Sequence, residues 1–310
     1  MKHIKYQQAF RILQMHKQFH EHILRAALAH FELPKQTMER LCEYTVVPDE
    51  MALEKTVGFE LPEASNPLDS IKNAISWTGN ALVQYGTWAY SHGSEAPEQF
   101  MRHFIISYDA FLTADRHSNR EFEDGLRNLG YALHYATDTG TPFHSKPISE
   151  SITHLLEKYL EHDGIITEDQ GSELLSEFLW FISMLTIHHQ EFENKLLDDW
   201  NDLSRKKEYE AAISNGVSDA MINVDASSRD RMIVYMRQEI TGLRMHALGQ
   251  YGELDKIYRG MNELEEMQEI SGLRNYYDRV TTVGLECTYQ ITLFAAKVLS
   301  IFFDRAEVFG

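Results

Sequence analysis

The chain is short of several things, and each shortage excludes a class of protein. It has 2 cysteines in 310 residues, Cys42 and Cys287, far apart and in no CxxC pair. That excludes a disulfide scaffold and a thiolate zinc site. Alternating β-branched runs are nearly absent, which argues against a sheet. No Ser/Gly-rich linker, repeat or low-complexity tract marks a domain boundary. Cations are few: 29 Lys and Arg stand against 47 Asp and Glu, for a net charge of −18. Such a balance disfavours gripping a nucleic-acid backbone or an anionic membrane by bulk charge. It suits the binding of cations, metal ions included.

Long hydrophobic runs are missing too. The stretch from Ile291 to Phe303 is short and bounded or broken by Gln290 and Lys297, so no membrane span is expected. The first residues carry a little positive charge without the apolar stretch of a secretory signal. A cytoplasmic protein is the expectation, or a secreted one if a leader has been removed or export takes another route.

What is present is helical periodicity. The pattern predicts helices over 4–32, 35–45, 67–91, 96–114, 120–139, 149–162, 168–205, 206–223, 228–249, 252–268 and 272–305. Pro34, Pro62, Pro67, Pro97 and Pro142 fall at or near these boundaries. The segment from Val47 to Asn66 reads as the longest non-helical stretch. The expected architecture is one all-α domain over 1–310.

Fifteen histidines matter only where they fall into register. Between Leu129 and His144 the chain reads His134-x3-Asp138-x5-His144. One helical turn puts His134 and Asp138 on one face, and Gly140 and Pro142 then fold the chain back toward them. Two imidazoles and a carboxylate converging at a helix end form a metal-ligand set. Other groups are candidates to join them. His16 and His20 share a helix face near the N-terminus, a pair that without the central motif reads as a solvated polar face. His154 and Glu157, spaced i,i+3, could reach one ion. Asp49 follows Pro48, an ordinary turn signature, at a predicted helix exit. Glu286 lies among apolar neighbours and reads as a boundary residue.

Taken in order, these pieces resemble the zinc-dependent phospholipase C family, which shares its helical fold with the zinc-dependent single-strand nucleases. The family's pattern Leu-Gly-x3-His-Tyr-x2-Asp-x3-Pro-x-His is met at every fixed position from Leu129 to His144. His20 with Ile23 and Leu24 is similar to the first-helix motif, and Asp278-Arg279-Val280-Thr281-Thr282 to one in the last helix. The resemblance implies an all-α multi-helix domain of that type and two or three zinc ions in a cleft. His134 and Asp138 would hold one ion with Asp49, the match to an upstream Asp. Asp138 would bridge to an ion shared with His20. His144 would hold another, with a His and a Glu from the following helix.

The chain departs from the family in three places. The family spaces that last pair His-x3-Glu, whereas His154 and Glu157 are His-x2-Glu; His189 and Glu193 have the right spacing further along. The N-terminal Trp whose amino group and carbonyl serve as ligands is absent, with Met in its place. Where the family has His-Phe, this chain has Gly58-Phe59, and Glu54, Glu60 or the distant His92 could substitute. A carboxylate in place of imidazole would tilt the site from zinc toward manganese or iron.

The activity the resemblance implies is hydrolysis of a glycerophospholipid at phosphorus, with Asp49 as ligand and general base. It brings transient contact with a membrane surface. A choline-like headgroup would sit against aromatic rings, for which Tyr44, Phe59, Tyr131 and Tyr135 are candidates. Two alternatives stand beside it. One is a single-strand nuclease or other phosphoesterase, with nucleic acid disfavoured by the net charge. The other is a diverged metal-binding protein with non-hydrolytic chemistry or a binding role.

Overall fold

A computed structural model describes residues 19–53, 90–113, 119–145, 157, 168–184, 188–200, 206–223, 228–266 and 270–303. These residues are helical throughout apart from short connections, and no strand occurs among them. The all-α expectation holds. The helices are α1, whose described part is 19–28, then α2 (Lys35–Leu53), a π-helical turn (Tyr90–Ser94), α3 (Ala96–Thr113), α4 (Asn119–Gly140) and the short α5 (Pro142–Ser145). They continue as α6 (Glu168–Ser183), α7 (His189–Trp200), α8 (Lys206–Asn223), α9 (Arg229–Glu266) and α10 (Ile270–Phe303).

Helix α4 shows why the chain folds this way. Leu126, Leu129, Leu133 and Ala136 recur at helical spacing and are buried almost completely. They face α3 on one side and α2 on the other, with α9 and α10 closing over the C-terminal half. The approach of α2 depends on Gly130. A Cβ there would lie 2.5 Å from Tyr44 Cβ and 3.2 Å from the Thr45 backbone nitrogen. At the helix end, a Cβ on Gly140 would lie 2.3 Å from Ile291 Cγ1 of α10. Thr137, Thr139 and Thr141 return their hydroxyls to carbonyls four residues back, at 2.7–3.0 Å. Buried hydroxyls in this last stretch are thereby satisfied without breaking the helix.

Three predicted boundaries are corrected. Helix α2 does not stop at 45 but runs to Leu53, through the buried Pro48. A proline inside a helix costs about 3 kcal/mol, so burial of apolar side chains such as Leu41 and Cys42 along this helix must outweigh it. The expected non-helical stretch is therefore helical over 47–53, and its remainder lies outside the described residues. Helix α9 is continuous where a break was expected around 250. Its apolar spine, Ile240, Leu243, Ala247, Tyr251, Leu254, Ile257, keeps helical register straight past Gly249 and Gly252. Conversely, 168–205 is not one helix: α6 ends at Ser183, and 184 and 188 are π-helical before α7 begins. The predicted 67–91 lies outside the described residues up to 89, and 149–162 apart from Glu157 lies outside them too.

Helix α10 is the hydrophobic centre. By length and composition Gly272–Phe303 could cross a membrane, yet 72% of its apolar window is buried inside this fold. It is packed by α8, α9, α4 and α7. Its one buried cation, Lys297, reaches Asp219 of α8 and Glu239 of α9, each at 2.5 Å, so three helices share one charge cluster. Glu286 on the same helix is exposed and accepts from Gln290 at 3.0 Å; the chain buries no uncompensated Glu there.

Gly130→Ala is expected to destabilise the protein by about 1–3 kcal/mol, because the added methyl meets α2 backbone rather than a movable side-chain tip. Chemical denaturation checks this, and an unchanged midpoint would show that α2 and α4 separate freely.

Candidate metal centre

Four elements deliver side chains to one buried place. His20 comes from α1, Asp49 from α2, His92 from the π-turn, and His134 with Asp138 from α4. All five are at least 97% buried. His92 lies in the π-turn, and His189 directly follows the π-helical residue 188. π-Helical geometry recurs at functional sites.

Asp138 is the hub. Its Oδ2 is 2.7 Å from His92 Nδ1 and 3.2 Å from His134 Nε2. Its Oδ1 faces His20 Nε2 at 3.4 Å and His144 Nδ1 at 3.9 Å. Asp49 stands across from it, with Oδ1 3.8 Å from both His92 Nδ1 and His134 Nε2, and Oδ2 4.0 Å from His20 Nε2. The ring nitrogens His134 Nε2 and His92 Nδ1 are 2.9 Å apart. His20 and His134 stack with ring centroids 4.2 Å apart.

A second group adjoins the first. His144 of α5, His189 and Glu193 of α7 bring one ligand atom each within 4.8 Å of one another. His189 Nε2 is 2.9 Å from Glu193 Oε1, one helical turn on. Phe143 stacks on the His189 ring at 5.0 Å and orients it. His144 Nδ1 donates to the His92 carbonyl at 3.1 Å, which ties the two groups together and leaves Nε2 as the nitrogen with a lone pair.

The electrostatics of the place are unusual. Burial drives His20 down to about 4, reinforced by the neighbouring His134. Burial opposes charge on His134 too, but Asp138 and Asp49 outweigh it and raise this imidazole. Both carboxylates would be pushed up by burial, yet the surrounding imidazoles hold Asp49 below the ordinary range and Asp138 well below it. Two buried anions in one pocket are costly without a compensating cation. Asp49 Oδ2 has no hydrogen-bond partner among the described residues. Convergent imidazole and carboxylate donors, one oxygen left without a donor, and dense burial together fit a divalent ion. Three triads could hold one: His20–Asp49–His134 and His92–His134–Asp138, which share His134, and the separate His144–His189–Glu193.

Placement of the sequence candidates is uneven. The structure brings His20, Asp49, His134, Asp138 and His144 together. Glu157 is exposed, and its expected partner His154 lies outside the described residues; among the described residues the pair beside His144 is His189 and Glu193. His92 takes the place opposite Asp138, although it lies 34 residues beyond the Gly58 position where the motif looked for a ligand. His16, His154, Glu54, Glu60 and Phe59 lie outside the described residues. Among the aromatic candidates, Tyr135 borders the centre, its ring 5.3 Å from that of His92. Tyr131 leans on His103 at 5.3 Å, and Tyr44 is bound to Glu123, so both serve packing away from the ligands.

Comparison of the chain with protein-family models, with curated proteins and with solved structures finds no match.

Asp138→Asn is expected to lower bound transition metal more than His144→Ala, since Asp138 faces imidazoles on both of its oxygens. Elemental analysis of the purified variants, with helicity checked by circular dichroism, measures this. Equal losses from the two substitutions would remove Asp138 from its central position. Glu157→Gln is expected to leave metal content unchanged.

Proposed function

We propose that the chain is a metal-dependent phosphodiester hydrolase of phospholipase C type, acting at the phosphorus of a glycerophospholipid. The observation that carries the reading is Asp138, whose two carboxylate oxygens face different sets of imidazoles. A carboxylate so placed suits neighbouring ions rather than one. The donor set is nitrogen and oxygen without sulfur, which suits zinc and admits manganese or iron. The motif from Leu129 to His144 and its resemblance to the phospholipase C family supply the substrate class.

His134, His92, Asp49 and Asp138 would hold one ion, His20 would join the two carboxylates at a second, and His144, His189 and Glu193 would hold a third. When bound, clustered divalent ions supply hydroxide near neutral pH and offset charge on phosphoryl oxygens. The remaining work falls to the chain. Asp49, kept ionised by the surrounding imidazoles, would hold the attacking water by a hydrogen bond and accept its proton. Tyr135 and Phe143 close the apolar side, Phe143 almost wholly buried, and keep the imidazole rings in fixed orientation. The net charge of −18 favours a neutral or zwitterionic headgroup over a polyanion.

The test is elemental analysis of purified protein, then assay on phosphatidylcholine and on single-stranded DNA. The expected result is about two to three transition-metal ions per chain, as multi-ion hydrolysis requires, with release of a phosphorylated headgroup. Asp49→Asn should lower kcat by about 10²–10⁴-fold, the usual worth of a general base. Less than one ion per chain would sink the hydrolase reading. Metal with cleavage of DNA alone would select the nuclease, and metal without phosphodiesterase activity the diverged metal-binding protein.

A further inference from the structure

Helix α9 turns one face to the core and the other to solvent, and the solvent face carries exposed apolar side chains. Met245 is 62% exposed, Val234 56% and Leu248 36%. Between Gln238 and Gly252 every exposed position on this helix is uncharged, in a chain of net charge −18. The acidic side chains on its flanks turn aside to partners of their own: Glu239 to Lys297, Glu253 to Arg279, and Asp255 to Trp180 and Arg259. Met245 and Leu248 lie on this uncharged strip, and apolar side chains on an uncharged face suit contact with another surface.

The strip is also self-complementary. Met245 and Gly249 are equidistant from residue 247, and so are Gly242 and Gly252, Gln238 and Lys256, and Arg231 and Glu263. At 100° per residue all eight fall within one narrow stripe of the helix, and all eight are exposed. In an antiparallel pair of α9 helices crossing at residue 247, each member of a pair stands level with the other member on the second copy. Met245 then meets the bare backbone of Gly249, where a Cβ would have nothing within 4 Å in the single chain. Gly242 and Gly252, equally open, let the backbones approach. At the two ends, about 48 Å apart by helical rise, Arg231 and Glu263 bring opposite charges to the same level. A twofold interface requires this reciprocity, that residue i meets j and j meets i. Side chain into glycine hollow is the packing that helix pairs use.

The geometry points to a second copy of this chain as the occupant: α9 is the contact of a twofold-symmetric dimer, paired antiparallel with Met245 seated against Gly249 of the other copy. Helix α9 also braces the metal centre. It packs on α5, and Arg244 donates to the Ser94 carbonyl at 2.9 Å, two residues from His92. Dimerisation would thus clamp the outer side of a helix whose inner side holds the His92 turn.

Sedimentation velocity on the full metal-loaded chain is expected to give twice the 36.0 kDa chain mass at micromolar concentration. Gly249→Glu and Met245→Glu, both in open space and so harmless to the fold, should each raise the dimer dissociation constant about tenfold or more, as central contacts do. Met221→Glu, on the exposed end of α8 at 64% exposure, should leave it unchanged. Under mild oxidation an equimolar mixture of Met245→Cys and Gly249→Cys chains should form the mixed disulfide in preference to either homodisulfide. A monomeric wild-type chain overturns the proposal. So does a dimer indifferent to both glutamates, or a monomer that co-sediments with anionic vesicles through Met245. Phosphodiesterase activity in any of these species bears on the proposed function and not on this interface.

Discussion

A carboxylate buried among four imidazoles organises this molecule. Asp138 is 1% exposed, and the groups that face its two oxygens come from α1, α4, α5 and the π-turn. Asp49 from α2 adds a second buried anion within 4.0 Å of the same rings. Neither anion is tolerable in a low-dielectric interior without cationic compensation. The imidazoles supply some of it and a divalent ion would supply the rest. Elements distant in sequence are therefore tied to one point by electrostatics as much as by the apolar core.

The packing of the helices sets how closely these groups converge. Gly130 lets α2 lie against α4, which carries Asp49 toward His134 and Asp138. Gly140 lets the end of α4 sit directly against Ile291 of α10. The core thus has little slack where the ligands stand, since interiors are packed to crystal-like density. Distortion there is paid twice, in core contacts and in ligand geometry. The Lys297 cluster plays the corresponding part further along, fixing α8, α9 and α10 to one another through a single buried cation.

Much of the centre was legible along the chain, and the reasons it was legible are local. His134 and Asp138 are one turn apart, so helical period alone puts them together. His144 follows a Gly/Pro turn that can carry it back to the side of His134 and Asp138. His20 and Asp49 were reached through motif order, not through spacing. His189 and Glu193 were visible as a pair but ranked behind Glu157, because nearness in sequence to His144 favoured the nearer pair. The contact that decides is between α5 and the start of α7, across more than forty residues. His92 had no local signal at all: a lone histidine after a tyrosine and a serine, brought opposite Asp138 by a π-turn that helical periodicity does not foresee.

Sequence alone determined the helical class, the apolar stripe of α4 and α10, and the compact His-x3-Asp-x5-His motif, because each rests on a repeat of 3.6 residues or on turn chemistry within a few residues. It misjudged α2 and α9. Local propensity ends a helix at Pro48 and weakens one at Gly249 and Gly252, and only burial of the flanking apolar residues carries the helix through. Tertiary structure alone decided which distant histidines and carboxylates share the centre, and that Asp138 faces in two directions at once. Those are matters of three-dimensional convergence, and no periodicity along the chain encodes the distance between two helices.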